Sequence, residues 1–370
     1  MEEHIVRLVL WGYYGVNYGD DMMMKSLLQY YFQKKVKVTL VDLYSGGMLK
    51  HRYCNFKDNT EFIEIYRYSK IEKLRFLRKI SSKSKYINIW GGGTIFTDED
   101  GDGNFSYFSI IKMLGGSIGY IGVGIGHLKK KKRIIKTAWL LKRSSLITFR
   151  DSSSLIRAKQ LVGDLNQFHL VEDLVYYYVF NNTIKPIRLE DETSNYILIT
   201  WRNLHNYISF ESESKLMDEI VHSIVKREPS SKVVLSALDI NHDVTSCRIL
   251  HGKLKQFRVN VVFDINNDID HITKLIKNAD FHISGRLHGS MISELMGTKT
   301  ISLNYSPKMD YFYKSVGSDS YISIYESNFH NQLTEKLKDI HSVTIDLKNK
   351  SDNALLNFKY LDQLLDSQNF

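Results

Sequence analysis

Residues 6–32 read VRLVLWGYYGVNYGDDMMMKSLLQYYF. The apolar run 6–11 predicts a strand, and the amphipathic run 22–32 predicts a helix. Between them, residues 12–19 form a loop punctuated by glycine. Asp20 or Asp21 is the expected N-cap of the helix. This strand–loop–helix unit is the building block of a parallel sheet covered by helices.

The same alternation runs through most of the chain. Predicted strands cover residues 36–43, 86–90, 117–123, 145–149, 196–200, 232–238, 259–263, 281–284 and 300–303. Predicted helices cover residues 61–80, 129–143, 214–226, 245–256, 268–278, 290–296 and 351–367. Alternating strands and helices indicate an α/β protein with parallel sheets buried on both faces.

Two domains are expected from the length of 370 residues. The polar stretch 181–195 is the predicted boundary, since domain linkers are polar and exposed. The predicted organisation is an N-terminal Rossmann-like domain over 1–185 and a C-terminal Rossmann-like domain over 190–345. The amphipathic segment 346–370 is expected to form a helix that packs back on the N-terminal domain.

Composition narrows the class of protein. Apolar residues make up 43% and charged residues 25%, which is typical of a globular chain. Cys54 and Cys247 are too few for a disulfide framework, and the N-terminus lacks the basic start of a signal peptide. The uncharged stretch 113–128 contains two GxxxG spacings but is shorter than the roughly 20 residues of a membrane span. It is interpreted as a buried strand with a glycine turn, and the chain is predicted to be cytoplasmic.

Positive charge is concentrated in two segments. The net charge is +9, and residues 67–85 hold eight Lys or Arg with one Glu, while residues 129–143 hold eight with no acid. Such segregation indicates an anionic membrane surface or a nucleic acid as partner, or a solvated helix face. Nucleic acid is disfavoured because no RNP, helix-turn-helix or zinc pattern is present.

The segment 283–290, ISGRLHGS, is the sharpest candidate site. A strand ends there and delivers Arg286 and His288 two residues apart, so an extended backbone sends both to one side. Arg286 suits a carboxylate or phosphate, and His288 suits proton transfer. The same residues also fit a buried histidine beside a structural arginine. Lys308, in the turn after the next strand, and Arg202, after the first strand of the second half, are further candidate cations.

Acidic and amide side chains follow the strands of the first half. Asn17 and Asp20 follow the first strand, Asp98 follows the GGG turn, and Asp173 lies near the end of the first domain. A carboxylate facing a sugar hydroxyl is a natural general base. Asp20 is equally compatible with a helix cap, and Asp98 with a solvated turn. No metal site is expected, because the 13 His are scattered without a metal-ligand spacing.

Six ordered motifs resemble the polysaccharide pyruvyl transferase family, from about residue 8 to residue 318. They are Gly15-Val-Asn17-Tyr-Gly19-Asp20, Trp90-Gly-Gly-Gly93 with Asp98, Val123-Gly124-Ile-Gly126, Phe149-Arg150-Asp151 with Ser153, Ser284-Gly285-Arg286-Leu287-His288-Gly289, and Asn304-Tyr-Ser-Pro-Lys308 with Gly317. His127 stands where the family often has Pro.

This resemblance implies a GT-B-like fold: two Rossmann-type domains with parallel sheets and an interdomain cleft. It implies transfer of pyruvate from phosphoenolpyruvate to two hydroxyls of a sugar in a bacterial surface polysaccharide precursor, giving a pyruvate ketal and phosphate. The first domain would bind the acceptor and the second the donor. Phosphoenolpyruvate is a co-substrate, and no other cofactor is expected.

Residue roles follow the matched motifs. The expected donor-binding residues are Arg202, Arg286, His288, Gly289, Ser290 and Lys308, with Arg286 and His288 also catalytic. His288 is the first candidate for the acid. Asp20, Asp98 or Asp173 would act as base, and Asn17, Asp20, Asp98 and Asp173 would bind the acceptor. With a lipid-linked oligosaccharide as acceptor, segments 67–85 and 129–143 would dock on anionic lipid at the inner face of the cytoplasmic membrane.

Three other functions remain open at this point. A GT-B glycosyltransferase that uses a nucleotide sugar would share the fold and the phosphate-binding loops. A nucleic-acid-binding protein would use the two basic segments. An inactive family member would act only as a scaffold.

Overall fold

The computed structural model describes residues 6–99, 101–182, 196–227, 232–338 and 345–367. The chain divides into two units. The first, here the N-terminal unit, comprises Met1–Gly15, Asp20–Thr183 and Leu347–Phe370. The second, the C-terminal unit, comprises Val16–Gly19 and Ile184–Asp346. The expected domain boundary at 185–190 lies outside the described residues, and the sequence did not indicate that residues 16–19 group with the second unit.

The N-terminal unit is a sheet with helices in its connections. Its strands are β1 (Arg7–Trp11), β2 (Val38–Asp42), β3 (Thr60–Glu64), β4 (Tyr86–Gly91), β5 (Thr94–Thr97), β6 (Gly101–Asp102), β7 (Ser117–Ile125), β8 (Leu146–Phe149) and β9 (Phe168–Leu170). Their order is β3-β2-β1-β4-β7-β5-β6, with β8 also paired to β7 and β9 to β8. Every described pair is parallel except β5 with β6. The predicted α/β class is confirmed.

The helices of this part of the chain are α1 (Tyr18–Gln33), α2 (Met48–Arg52), α3 (Lys70–Ile80), α4 (Phe105–Met113), α5 (Lys131–Arg143), α6 (Ser152–Val162) and α7 (Leu174–Asn181). The prediction of a helix over 61–80 was wrong in its first part. Residues 60–64 form β3, which pairs with β2. The helix begins only after Ser69, where Ser69 and Glu72 form a capping box.

The C-terminal unit repeats the alternation. Its strands are β10 (Tyr196–Thr200), β11 (Lys232–Ser236), β12 (Val261–Asp264), β13 (Phe281–Ser284), β14 (Thr300–Asn304) and β15 (Tyr321–Ser323). Its helices are α8 (Phe210–Arg227), α9 (Val244–Gln256), α10 (Ile269–Asn278), α11 (Leu287–Met296), α12 (Pro307–Val316) and α13 (Phe329–Lys336). All described pairs are parallel, in the order β12-β11-β10-β13-β14-β15.

Strand order in this second sheet creates a switch point. The chain runs outward from β10 to β12 and then returns to place β13 on the other side of β10. Connections on the two sides therefore diverge at the carboxyl ends of β10 and β13. In open α/β sheets, ligands bind outside the carboxyl ends of the strands at such a point.

The last helix, α14 (Leu347–Asp366), belongs to the N-terminal unit. It packs against α7, and its Phe358 ring stacks on Tyr30 of α1 with the ring centroids 4.3 Å apart. The side chains of β8 show that α14 lies on one face of the sheet and α5 and α6 on the other. Thr148 donates to Asn357 of α14, while its neighbours Ile147 and Phe149 join the apolar core under α3 to α6.

No described helix is both long enough and apolar enough to span a bilayer. The stretch 113–128 that carries the GxxxG spacings is the end of α4, a turn and the buried strand β7. That interpretation of the stretch as a buried strand is therefore confirmed.

Candidate functional site at the switch point of the second sheet

The backbones at the ends of β10 and β13 approach each other closely. The Gly285 N–H donates to the Thr200 carbonyl at 2.7 Å. A Cβ added at Gly285 would lie 2.7 Å from the Arg202 nitrogen and 2.8 Å from the Thr200 oxygen. Any larger residue would push the strands apart, so glycine at 285 is what lets Arg202 and Arg286 leave the sheet side by side.

Arg286 is held by two buried aspartates. Its Nε donates to Asp243 Oδ2 and its Nη2 to Asp243 Oδ1, each at 2.7 Å. Its Nη2 also lies 3.2 Å from Asp239 Oδ2. Burial lowers the pKa of Arg286, but the carboxylates of Asp243 and Asp239 outweigh burial and hold that pKa well above its ordinary value. The guanidinium is therefore charged, and its orientation is fixed by the fork-to-fork pair.

Asp239 and Asp243 are themselves fixed by backbone N–H groups. Asp239 Oδ1 accepts from the N–H groups of Asn241 and His242, both at 3.1 Å. Asp243 Oδ1 accepts from the Asn203 N–H at 3.1 Å. Asp243 therefore connects the segment after β10 to the segment after β13.

The segment 16–19 docks beside these aspartates. Its backbone pairs with residues 238–240, through Tyr18 N–H to Leu238 and Ile240 N–H to Val16. The Asn17 side chain donates to Asp239 Oδ2 at 3.2 Å and accepts from the Gly19 N–H at 3.1 Å. Asn17 is thus the residue that caps α1, and the expectation that Asp20 or Asp21 is the N-cap was wrong. The predicted role of Asn17 in acceptor binding remains a prediction.

His288 lies on the backbone of Gly19. A Cβ added at Gly19 would come within 1.7 Å of His288 Nδ1. His288 is half-buried in the first turn of α11, two residues after Arg286. The absence of a side chain at 19 therefore makes the space that the imidazole occupies.

Tyr305 lies close to the three candidate cations of the site. Arg202 Nη1 donates to the Tyr305 hydroxyl at 2.8 Å, and its guanidinium carbon lies 4.4 Å from the centre of that ring. Arg202 also contacts Tyr207, with 5.2 Å from guanidinium carbon to ring centre, and the two tyrosine rings lie 4.9 Å apart. Lys308 Nζ lies 5.5 Å from the centre of the Tyr305 ring. Tyr305 is also close enough to raise the pKa of Arg286. Arg202, Arg286 and Lys308 are therefore brought together.

Gly289 and Ser290 are both buried in the first turns of α11. The Ser290 side chain is fully buried, and its hydroxyl is 2.5 Å from that of Ser302 and 3.1 Å from that of Ser284. Gly289 packs above Ser284 and Leu238. These contacts hold the Ser290 hydroxyl in the core under α11, and the predicted role of Ser290 in donor binding remains a prediction.

A second histidine in this region, His282, is structural. It is fully buried in β13, with Nε2 2.8 Å from Thr200 Oγ1 and Nδ1 2.6 Å from Ser293 Oγ. Burial lowers the pKa of His282 to about 3. The ring is therefore neutral near pH 7.

The carboxylates predicted as bases lie in the N-terminal unit, and two have structural partners. Asp98 accepts from the backbone N–H groups of Lys129 and Lys130, at 2.6 and 3.0 Å, just before α5. Asp173 caps α7 and accepts from Arg150 Nη1 at 2.7 Å, with both side chains buried. Both residues therefore have structural partners, and their predicted roles toward the acceptor remain predictions.

Asp20 is half-buried in the first turn of α1, and its Oδ1 lies where a Cβ on Gly93 would be 3.1 Å away. Its neighbour Asp21 is fully buried against Arg52 and Tyr53. Burial raises the pKa of Asp21 to about 6 despite the charge of Arg52. Within the described ranges, no cluster of three or more His, Cys, Asp or Glu could hold a metal ion.

A family comparison decides which kind of protein this is. The model of the polysaccharide pyruvyl transferase family matches residues 17–307. The chain belongs to this family. The match spans every residue of the C-terminal site except Lys308, which follows its last residue. The predicted family is confirmed.

Several solved structures share the fold of this polysaccharide pyruvyl transferase family member, although their sequence identity to it is low. The UDP-N-acetylglucosamine 2-epimerase of Rickettsia bellii has a TM-score of 0.68 at 11% identity and covers 98% of this chain and 97% of its own. The Neisseria meningitidis enzyme bound to UDP-GlcNAc has a TM-score of 0.67 at 10% identity, with 96% and 99% covered. Anabaena HepE in complex with UDP has a TM-score of 0.58 at 10% identity, with 98% and 99% covered. A search of curated proteins found no match. The GT-B-like fold is confirmed.

Sequence reasoning missed four residues of the site in this family member: Tyr207, Asp239, Asp243 and Tyr305. The two aspartates lie in LDINHD, residues 238–243, directly after the apolar run of β11. A position after a parallel strand places both at the carboxyl edge of the sheet, and that signal was available. Tyr305 stands inside the quoted NYSPK motif, but nothing in the sequence shows that three cations surround it.

Proposed function

We propose that this protein transfers pyruvate from phosphoenolpyruvate to two hydroxyls of a sugar in a bacterial surface polysaccharide precursor, free or lipid-linked. The product is a pyruvate ketal, and phosphate is released. Membership of the polysaccharide pyruvyl transferase family supports the proposal. The observation that carries the donor assignment is the grouping of Arg202, Arg286 and Lys308 around Tyr305.

The donor requires cations and an acid. Phosphoenolpyruvate carries a carboxylate and a phosphate, and a planar guanidinium matches either group with two hydrogen bonds. In the first step a proton adds to the methylene carbon while a sugar hydroxyl bonds to the central carbon and gives its proton to a base. In the second step the other hydroxyl bonds to the same carbon, the bond to phosphate breaks, and phosphate leaves with the electron pair and takes up the proton of that hydroxyl.

Each cation has a distinct proposed task. Arg202, held by the neighbouring Tyr207 and Tyr305, and Lys308 would hold the carboxylate and the phosphate of the donor. Arg286, fixed by Asp243 and Asp239, would stabilise the negative charge that builds on the leaving phosphate. The three cations and two aspartates leave a net positive charge, which suits an anionic substrate.

His288 is the proposed acid for the methylene carbon. Its place in the first turn of α11, against Gly19, positions the imidazole within the same unit as the three cations. Asp20 is the preferred base for the acceptor hydroxyl, because Asp98 and Asp173 hold α5 and α7 in place. Asn17, Asp98 and Asp173 stay as candidates for acceptor binding.

The experiment measures phosphate release from phosphoenolpyruvate with galactose, glucose, mannose and N-acetylmannosamine acceptors. Mass spectrometry of the acceptor follows the gain of one pyruvic acid less one water. Wild type is compared with Arg202→Met, His288→Gln and, as a matched control, Arg248→Met on α9. Release that depends on the acceptor, with the mass gain, lost in the first two variants and kept in the control, is the expected result. Absence of release and of any thermal stabilisation by phosphoenolpyruvate contradicts the proposal.

A nucleotide-sugar glycosyltransferase is the second candidate. Two of the similar structures, the Neisseria meningitidis and Anabaena proteins, were solved with UDP-GlcNAc and with UDP. Thermal stability separates the two candidates, since a ligand at a hundred times its Kd stabilises by about 2.7 kcal/mol. Stabilisation by phosphoenolpyruvate and not by UDP supports pyruvyl transfer, and the reverse supports the second candidate.

A further inference from the structure

The helices that follow β3, β6 and β7 form one layer on the N-terminal sheet. α3 packs on α4, and α4 packs on α5. The basic segments 67–85 and 129–143, separated by 43 residues of sequence, therefore belong to the same side of this unit. Their grouping could not be read from the sequence.

This layer exposes several aliphatic side chains. Ile71, Leu74, Leu77 and Ile80 recur at helical spacing along α3. The structure buries Phe76, Leu77 and Ile80 but leaves Ile71 65% and Leu74 56% exposed. The neighbouring helices expose further aliphatics in the same way, namely Met113, Leu114 and Ile135. Exposed apolar side chains on adjoining helices of one layer are a feature that an interaction surface would use.

Cations surround these aliphatic side chains. On α3, Arg75 and Arg78 continue the exposed stripe of Ile71 and Leu74 at helical spacing. Lys83, Lys112 and Arg143 converge at the other end of the layer. Partial burial and the charges of Lys83 and Arg143 lower the pKa of Lys112. Among the residues that the structure describes, none forms an ion pair with Arg78, Lys83 or Lys112.

The acids of this layer are already engaged. Glu72 accepts from the Ser69 N–H at 2.8 Å in the capping box. Asp102 accepts from Lys136 Nζ at 2.6 Å and lies 3.6 Å from Arg133. The layer is therefore strongly positive, which suits a partner of negative charge.

We propose that this layer, the α3–α5 face, docks on an anionic lipid bilayer. Aliphatic side chains among cations match the boundary between acyl chains and anionic headgroups. A nucleic acid fits less well, because it offers phosphates but no apolar phase for Ile71, Leu74 and Met113. Trp139, the one tryptophan of α5, is packed against Phe105 and covered by Arg143, so it is not presented for stacking on bases. The inference goes beyond the proposed transfer reaction and does not depend on it.

The test is sedimentation of the full chain with vesicles. One set contains phosphatidylcholine only, and the other contains phosphatidylcholine and phosphatidylglycerol in equal parts. Binding to the anionic set, little to the neutral set, and weakening with salt are expected, since each basic residue near an anionic surface contributes about fivefold in affinity. Charge variant Arg75→Glu/Arg78→Glu should lower anionic binding at least about tenfold.

A second variant, Ile71→Gln/Leu74→Gln, keeps every charge. It should still lower vesicle binding several-fold, because the lost contribution is apolar. The matched control is Lys348→Glu/Lys359→Glu on exposed positions of α14, on the opposite side of the same sheet. It should bind like wild type. All variants are exposed at the changed positions, and circular dichroism checks that each is folded.

Three results overturn the inference: no binding of wild type to the anionic vesicles, equal loss in the α14 control, or full binding by the glutamine variant. Binding of duplex DNA in a gel shift, lost in the charge variant while vesicles are not bound, assigns the face to nucleic acid and also overturns it. Phosphate release with a soluble acceptor is measured on the same proteins, so failure of docking and failure of the transfer reaction are separate results.

Discussion

Arg286 meets Asp243 through two parallel hydrogen bonds of 2.7 Å, one from Nε and one from Nη2. Asp243 is fully buried, and the Arg286 side chain is 13% exposed. The aspartate therefore uses both its oxygens to orient the guanidinium, and the Nη1 edge is the part of the fork left out of this pair. A family motif identifies Arg286, but the orientation of its guanidinium is set by Asp243, which lies 43 residues earlier in the chain.

The first prediction removes that carboxylate. In Asp243→Asn the fork loses its charged partner, and Arg286 is left with Asp239 alone. We expect the KM for phosphoenolpyruvate to rise at least tenfold. Because a broken buried pair leaves an uncompensated charge, the free energy of unfolding should fall by about 3 kcal/mol. Steady-state kinetics and urea unfolding measure the two effects.

A double variant provides the control for this prediction. Arg286→Met/Asp243→Leu removes both charges together, so its stability should lie closer to wild type than that of Asp243→Asn, while its activity stays lost. An unchanged KM in Asp243→Asn would show that the aspartate does not position the arginine for the donor.

The second prediction concerns Gly19 and His288. Because a Cβ at 19 would overlap the imidazole, Gly19→Ala displaces His288. We expect kcat to fall by about a hundredfold or more, the usual contribution of a general acid, and to match His288→Ala. Gly252→Ala, at an exposed position of α9 with nothing within 4 Å, is the matched control. It should be stabilised by about 0.5–1 kcal/mol, with kcat unchanged. Wild-type kcat in Gly19→Ala would exclude His288 as the acid.

Much of the fold was predictable because its strands are short, apolar and parallel. β10 and β13 match the predicted residues 196–200 and 281–284, since strands buried on both faces are read as continuous apolar runs. β3 was not found, because four of its five residues are only partly buried and two of them are glutamates. The apolar periodicity of α3 was detected correctly but not its burial, which depends on neighbours that periodicity does not report.

The structure brings three predicted cations together, but neither their pairings nor the aspartates and tyrosines that hold them were predicted from the sequence. Arg202, Arg286, His288 and Lys308 all lie after strands of the C-terminal unit, where sheet topology gathers them. Which atoms bind which partners depends on residues 239–243 and on the four-residue segment 16–19, which come from other parts of the chain. Asp98 and Ser290 likewise have partners that the sequence does not show, Lys129 and Lys130 for Asp98 and Ser302 for Ser290, and their predicted roles remain predictions.

The third prediction tests the contacts of Arg202 with Tyr207 and Tyr305. Arg202→Lys keeps the charge but loses the planar fork and its contacts with Tyr207 and Tyr305. We expect the KM for phosphoenolpyruvate to rise about tenfold with a small change in kcat, because the two tyrosines orient Arg202 for binding the substrate in the ground state. Tyr305→Phe keeps the ring and loses the hydroxyl that accepts from Arg202, so its effect should be in the same direction and smaller. A loss of kcat at constant KM in Arg202→Lys would place Arg202 in the chemical step.

The last prediction is a pH dependence of stability that arises from His282. Ser293 donates its hydroxyl to the Gly289 carbonyl, so it accepts from His282 Nδ1–H, and Nε2 accepts from Thr200. Burial lowers the pKa of His282 from 6.5 to about 3. Between these two pH values, His282 is therefore protonated in the unfolded chain but neutral in the folded chain. The stability from neutral His282 is present above about pH 6.5 and is lost as the pH falls toward about 3, at up to about 1.4 kcal/mol per pH unit.

Urea unfolding over that pH range measures the effect against His282→Gln, which has no titrating group. The variant should be less stable at neutral pH, because it breaks the Thr200 and Ser293 contacts. The difference in unfolding free energy from wild type should shrink as the solution is acidified, since only wild type loses the neutral-histidine contribution. Parallel stability curves for the two proteins would mean that His282 titrates alike in the folded and unfolded chains, and that its burial in β13 does not control its charge.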